Sequence, residues 1–159
     1  MNIRQAKKED ARLLSRLSMS VQRLHAEAFP DVFKFPEQDD YALSAFEKFL
    51  ADPEVYIYIA EDPQPAGYII CQEVHRTENP FTVARSHLYI DQISVEPDFQ
   101  GRGIGKALVT NAAQLAEQKG LSAIVLNSWA FNQKAHTFFQ SQGYEIYNVR
   151  MWKRSNNTP

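Results

Sequence analysis

The stretch Val95-Glu-Pro-Asp-Phe-Gln100-Gly-Arg-Gly-Ile-Gly105-Lys-Ala-Leu108 sets glycines at 101, 103 and 105 between a run of strand character and a run of helical character. Glycines there remove the Cβ atoms that would hold an anion away from the backbone. The helix that begins at once leaves its first N–H groups and its positive dipole end pointing at the same place. Arg102 and Lys106 add cationic side chains beside the turn, which suits a pyrophosphate better than a lone carboxylate. A P-loop would require a hydroxyl after the lysine, and Ala107 stands there. A Rossmann fingerprint requires Gly-x-Gly-x-x-Gly, and Lys106 occupies the place of its third glycine. The remaining alternative is a tight turn whose glycines only bend the chain.

The neighbourhood of the turn has a regular order. A strand from His87 to Val95 precedes it, and a helix from Ile104 to Lys119 follows, with Ile104, Ala107, Leu108, Ala112 and Leu115 on one face and Gly120 at its stop. Next come a strand from Ser122 to Asn127, a helix from about Asn132 to Gln142, Gly143, and a strand from Tyr144 to Trp152. Strand, helix, strand in this rhythm is a βαβ unit. Upstream, a short strand at Ile3 to Ala6 leads to a helix carrying Leu13, Leu17, Val21, Leu24 and Ala28 behind Asp10, read as its cap. The proline-broken run Phe29 to Pro36 reads as a lid or pocket wall before a second helix through Ala42, Phe46, Phe49 and Leu50. Val55 to Ala60 and Gly67 to His75 read as an antiparallel pair joined at residues 61–65.

At 159 residues with 44% apolar content, the chain fits one compact domain over residues 1–159, with 155–159 as a frayed end. Seventeen basic and nineteen acidic residues form no long run of either sign, so nothing in the charge pattern calls for nucleic acid. No window approaches the roughly 18 apolar residues of a membrane span, and the N-terminus lacks an apolar signal core. The single cysteine, Cys71, reads as a buried strand residue, and a reducing cytoplasm is the expected home. His75, His87 and His136 have no ligand spacing, so no metal site is expected.

Two spaced motifs occur in order: Gln100-x-x-Gly103-x-Gly105 after a strand ending Ile93-Ser-Val95, and Asn132-x-x-Ala135-x-x-Phe138-Phe139 followed by Gly143-Tyr144. Together they resemble the coenzyme A signature of the GNAT acyl-CoA N-acyltransferases, sharply over roughly residues 87–145. The resemblance implies an α/β (α+β) fold: a central, mostly antiparallel sheet with a parallel split at the coenzyme groove and helices on both faces. It implies acetyl-CoA as cosubstrate, its pyrophosphate on Gln100, Gly101, Arg102, Gly103, Ile104, Gly105 and Lys106, and its pantetheine arm beside Ile93 and Val95. The Ile93 N–H would polarise the thioester carbonyl, while Asn132 would touch the arm or cap its own helix. Ala135 and Phe138 would line the arm or form one core face.

The chemistry implied is direct attack of a neutral amine on the thioester, which needs a base and a means of releasing thiolate. Strand alternation puts Tyr89, Asp91 and Ile93 on one face, and family members that use a side-chain base often draw it from this part of the strand. The resemblance therefore implies Asp91 as base, directly or through water, with Tyr89 a companion; the alternative is a carboxylate that only orients the acceptor ammonium or pairs with a nearby arginine. Relatives carry tyrosine as the thiolate's proton donor where this chain has Phe139, which cannot donate. Water or another hydroxyl such as Tyr89 would replace it, or the thiolate would leave unassisted. A non-catalytic acyl-CoA sensing module is the alternative that Phe139 keeps open. His25 and Trp129 are candidates to contact the acceptor, a small amine, a peptide N-terminus or a lysine. The family also raises the expectation of a homodimer through the C-terminal strands.

Overall fold

The computed structural model describes residues 1–154, so the tail expected at 155–159 lies outside the described residues. These residues fall into two compact units, one spanning Met1–Asn127 and one beginning at Ser128.

The first unit is built on a five-stranded sheet of order β1-β2-β3-β4-β5. Its strands are β1 (Asn2–Gln5), β2 (Val55–Glu61), β3 (Pro65–Arg76), β4 (Arg85–Val95) and β5 (Ile124–Leu126). The first four are antiparallel to their neighbours, whereas β5 joins β4 in parallel. A parallel neighbour requires a crossover, supplied here by helix α3 (Ile104–Gln118).

Helices α1 (Ala11–Ala28) and α2 (Leu43–Ala51) cover one face of the sheet. Ala11, Leu14, Leu17 and Phe46 pack there against Ile57, Ile59, Tyr68 and Ile70. Because side chains alternate along a strand, Ile69 and Cys71 project to the other face, where α3 packs against β3 and β4. Both are fully buried, as expected for Cys71. Gly120 takes φ of 65° where the helical pattern stops.

Asp10 stands at the N-cap position of α1 as expected, but its side chain makes no capping bond to the helix. It lies on a 3-10 turn, Lys8–Asp10, and its carboxylate accepts from Arg4 at 2.8 and 2.9 Å and from the Lys7 N–H at 2.7 Å. Arg4 also donates to Glu61 at 2.8 Å, so an ion-pair cluster, rather than a helix cap, joins β1, the turn and β2. The charged partner outcompetes the weaker N–H dipoles of the helix start. At the far end of α3, Lys119 reaches Glu73 at 2.9 Å and the Tyr56 hydroxyl at 2.6 Å, tying the helix to β2 and β3.

The segment 29–42 wraps along α1. Gln22 donates to the Lys34 carbonyl at 2.7 Å, Tyr41 and Ser18 share a hydrogen bond of 2.8 Å, and the Ala42 N–H donates to Ser15 Oγ at 3.1 Å.

The second unit holds helix α4 (Gln133–Ser141). The strand expected at 144–152 does not form. Ile146, Tyr147, Val149 and Met151 are all at least 67% exposed, and a strand needs a ladder partner and a surface to half-bury its side chains. No helix among the described residues is long and apolar enough to cross a membrane.

At Gly67, β3 and β4 lie so close that an added Cβ would sit 2.5 Å from the Ser94 carbonyl oxygen. Backbone cannot move aside as a side chain can. Gly67→Ala is therefore expected to destabilise the protein by about 1–3 kcal/mol, read as a lower urea midpoint with unchanged slope.

Candidate active site

Directly paired residues of an antiparallel ladder point to the same face, so the β3–β4 register assigns each β4 side chain. Tyr89 pairs with Gln72, Gln92 with Ile70 and Ser94 with Tyr68, which puts Tyr89, Gln92 and Ser94 on the α1–α2 face. Ile90 pairs with Cys71 and Ile93 with Ile69, which puts them on the α3 face. Asp91 is the extra residue of a bulge between Ile70 and Cys71. The expected alternation of Tyr89, Asp91 and Ile93 on one face is thus corrected: the bulge turns Ile93 to the opposite side, while Asp91 stays among Tyr89, Gln92 and Tyr68.

The same register aims the main chain. The Glu96 N–H donates to the Ala66 carbonyl at 2.8 Å, which makes Gly67 and Val95 a pair that exchanges no hydrogen bond. The N–H and C=O of Val95, and by alternation those of Ile93, point away from β3. On that side β5 pairs only as far as Ile90 with Leu126, so among the described residues β4 beyond Ile90 has no strand partner there. The Val95 carbonyl instead accepts from the Gln100 amide at 3.1 Å.

This open edge runs into the glycine turn. Gly101 and Gly103 take φ of 78° and 81°, a left-handed backbone that other residues rarely adopt. A Cβ at either would meet no protein atom within 4 Å. Gly103 is the N-cap of α3 without a side-chain cap, so the N–H groups of Ile104, Gly105 and Lys106 have no intrahelical acceptor. Arg102 stacks over the Phe99 ring at 5.0 Å. The residues present suit a pyrophosphate: free N–H donors, a dipole end, open space above the glycines and two cations.

On the α1 side, polar groups form a lane. The fully buried Tyr68 hydroxyl donates to Gln92 Oε1 at 2.8 Å, Ser94 meets Ser20 at 3.2 Å, and Ser20 meets Glu96 at 3.3 Å. The Tyr89 hydroxyl accepts from Asn127 Nδ2 at 3.1 Å, at the mouth of the β4–β5 fork. Asp91 opens to solvent, yet its surroundings are close enough that burial raises its carboxyl above the ordinary range, with the Gln92 amide drawing it part of the way back. Burial likewise raises Glu96, and burial together with the Asp91 charge raises the Tyr89 phenol. A raised Asp91 is a stronger base, and a raised Tyr89 stays protonated at neutral pH.

Sequence reasoning missed Tyr68, Gln92, Ser94, Asn127 and Glu96. Gln92, Ser94 and Glu96 carry a signal, since they are polar residues at alternate positions in an apolar strand. Tyr68 carries none, because a buried tyrosine reads like any core aromatic.

The other expected site residues stand elsewhere. His25 Nδ1 lies 2.7 Å from the Val21 carbonyl of its own helix, and its ring packs on Phe33 at 5.0 Å between centroids. Asn132, Ala135, Phe138 and Trp129 belong to the second unit. Asn132 Oδ1 accepts from the Ala135 N–H at 3.1 Å, so its capping role is formed. Trp129 meets Trp152 edge-on at 6.2 Å, and Phe139 lies between Phe138 and Tyr144 at 5.1 and 5.4 Å. Among the described residues, no group of three or more His, Cys, Asp or Glu could hold a metal ion.

Comparison with known proteins agrees with this geometry. A profile of the Acetyltransferase (GNAT) family matches residues 19–144. An uncharacterized N-acetyltransferase of Methanocaldococcus jannaschii is 29% identical over 109 residues, 65% of this chain and 45% of that protein. Glucosamine 6-phosphate N-acetyltransferase of Trypanosoma brucei brucei is 27% identical over 89 residues, 55% of this chain and 58% of that one. The chain thus spans about half the length of these two relatives. It covers 90% of the uncharacterized N-acetyltransferase YhfO of Bacillus subtilis, which is 27% identical over 91% of this chain. Among solved structures, a tetramutant of the BH1408 protein from Bacillus halodurans shares the fold with a TM-score of 0.91, at 23% identity over 98% of this chain and 100% of that one. Aminoglycoside N-acetyltransferase AAC(6')-Iy in complex with CoA shares it with a TM-score of 0.69, at 20% identity over 98% and 94%. With the family profile covering most of its length and the fold shared along nearly all of it, the chain belongs to the GNAT family of acetyltransferases.

Proposed function

We propose that this acetyltransferase moves the acetyl group of acetyl-CoA to a primary amine by direct attack. The observation that carries this reading is the open edge of β4, whose Ile93 and Val95 main-chain groups lead straight into the Gly101–Gly103 turn and the start of α3. A peptide-like pantetheine arm adds to such an edge as a strand would, and a pyrophosphate finds the free N–H groups beyond it. Gln100 through Lys106 hold the pyrophosphate, and the Ile93 N–H is directed at the thioester oxygen, where negative charge grows as the amine adds. Asn132, Ala135 and Phe138 are assigned to the coenzyme on their motif.

Asp91 takes the proton that the amine sheds, directly or through water. The nitrogen bonds to the carbonyl carbon, the carbon–sulfur bond breaks, and the thiolate gains a proton from Tyr89 or water. Tyr89 is suited to this because Asn127 occupies its oxygen as an acceptor while leaving the O–H free to donate. Phe139, which cannot donate, then costs the reaction little, since a thiol ionises near about 8.5 and leaves readily.

The acceptor is a small amine, a peptide N-terminus or a lysine. The names of glucosamine 6-phosphate N-acetyltransferase and of the aminoglycoside enzyme support the first of these, and His25 and Trp129 are its candidate contacts. The reading places the protein in the cytoplasm. The exposed apolar side chains of Ile146, Val149 and Met151 support pairing of two copies through this segment.

Titration calorimetry with acetyl-CoA, followed by a thiol-release assay against a panel of amines and short peptides, tests the whole reading. Binding with amine-dependent release is expected; binding without release from any acceptor would favour the sensing alternative, and absence of binding would sink both. Gly103→Leu should abolish acetyl-CoA binding, because its side chain enters space that no protein atom fills; the strain of a leucine at φ of 81° should lower Tm, and circular dichroism below the melting range should show the fold retained. Asp91→Asn should lower kcat by roughly 10²- to 10⁴-fold with acetyl-CoA affinity intact. Because burial raises this carboxyl, the wild-type acid limb should lie above the ordinary aspartate range, with activity lost as pH falls and Asp91 takes up its proton, and Asp91→Asn should remove the limb.

A further inference from the structure

We infer that Tyr68 and Gln92 are positioning residues for Asp91: a hydrogen bond from the buried core between α1 and β3 fixes the Gln92 amide next to the carboxylate on the bulge. The inference rests on the reading of Asp91 as the base, and it concerns residues that never touch substrate.

A bulge residue is the least constrained member of its strand, because it has lost its partner in the ladder. A base placed there needs another restraint to keep its carboxylate in one orientation. Gln92, the next residue, supplies one. Its side chain faces the α1–α2 face, its Oε1 accepts from Tyr68 at 2.8 Å, and its amide nitrogen is thereby turned toward Asp91. An unanchored glutamine could present oxygen or nitrogen to the carboxylate equally well. The Tyr68 hydroxyl donor decides between them, since only an oxygen accepts from it.

Tyr68 is itself immobile. It is fully buried, its ring packs edge-on against Phe46 at 5.9 Å, and the Ser18 hydroxyl, bonded to Tyr41 at 2.8 Å and to the Ser15 carbonyl at 2.7 Å, stands beside it. Burial holds the Tyr68 phenol well above its ordinary range, so it is a permanent donor at any pH where the enzyme works. The titratable groups facing Asp91 are Tyr89 on its own strand and Tyr68 on β3, while Tyr41 and Glu96 face Tyr68. Both tyrosines are neutral near pH 7, so the Gln92 amide is the group that sets the carboxylate's orientation and stabilises its charged form.

The test compares Tyr68→Phe, Gln92→Leu and the double variant, with Asp91→Asn as reference, by pH profiles of kcat, acetyl-CoA titration and thermal melting. Each single variant is expected to lose about tenfold in kcat at neutral pH and to move the acid limb upward by roughly one pH unit, because the charged carboxylate loses its donor. Acetyl-CoA affinity should not change. The double variant should be no worse than Gln92→Leu alone, since the two residues act in series. A lowered Tm with the acid limb unmoved would reduce Tyr68 and Gln92 to a structural role and overturn the inference. Additive losses in the double variant would overturn it as well. If Asp91→Asn keeps the wild-type acid limb, the base assignment itself fails and the inference falls with it. An acid limb lost in Asp91→Asn but unmoved in the other variants would end the inference alone.

Discussion

One extra residue on β4, set against Ile70 and Cys71 of β3, divides this sheet into halves with different chemistry. Up to Ile90 the strand behaves as ordinary sheet, with apolar Leu88 and Ile90 facing α3 and β5 paired alongside. Past the bulge the sides exchange. Gln92 and Ser94 turn to the α1 side, Ile93 turns to α3, and the parallel ladder with β5 has already ended at Leu126. A bulge bends its strand and sharpens its twist, so a break in pairing on the neighbouring edge is its natural companion. The open main chain, Asp91 and the approach to the glycine turn all lie within six residues of that point.

The electrostatics separate two kinds of carboxylate. Asp10 and Glu61 sit against Arg4, and Glu73 against the Tyr56 hydroxyl and Lys119; all three are held below their ordinary range, so they remain charged and fasten strands to turns and helix ends. Asp91 and Glu96 are raised, because burial outweighs the stabilising contacts each receives. A carboxylate that is desolvated without a strong cationic partner is costly to maintain and useful as a base. The lane of Ser18, Ser20, Tyr41, Tyr68, Gln92 and Ser94 reconciles this with a stable fold, since each buried polar group there has a partner and the cost of leaving one unpaired is avoided.

Much of the molecule was legible without coordinates. The glycine turn, helix α3 with its stop at Gly120, and the antiparallel hairpin of β2 and β3 follow from local rules of periodicity and backbone freedom, and they formed where those rules placed them. The faces of β4 did not follow. Alternation is a local rule, and a bulge is decided by how two strands separated by a hairpin settle against each other, so the side-chain assignment of Ile93 was reversed. Asp10 departs from expectation for a different reason, because its local position suggests a cap while Arg4, six residues earlier, offers its carboxylate a stronger bond. The segment 144–152 has the alternation of a strand, and among the described residues it pairs with none.

The sequence by itself determined that a strand ends in a glycine-rich turn and a helix begins there. Positive φ at Gly101 and Gly103, and free N–H groups on the first turn, are properties of residue type and short-range geometry. Only the tertiary structure decided which groups look into the space beside that turn. The register of β3 against β4 aims the main chain of Ile93 and Val95 outward, and the packing of α1 buries Tyr68 where it can hold Gln92. Those arrangements depend on contacts between residues far apart in the chain, and no local pattern encodes them.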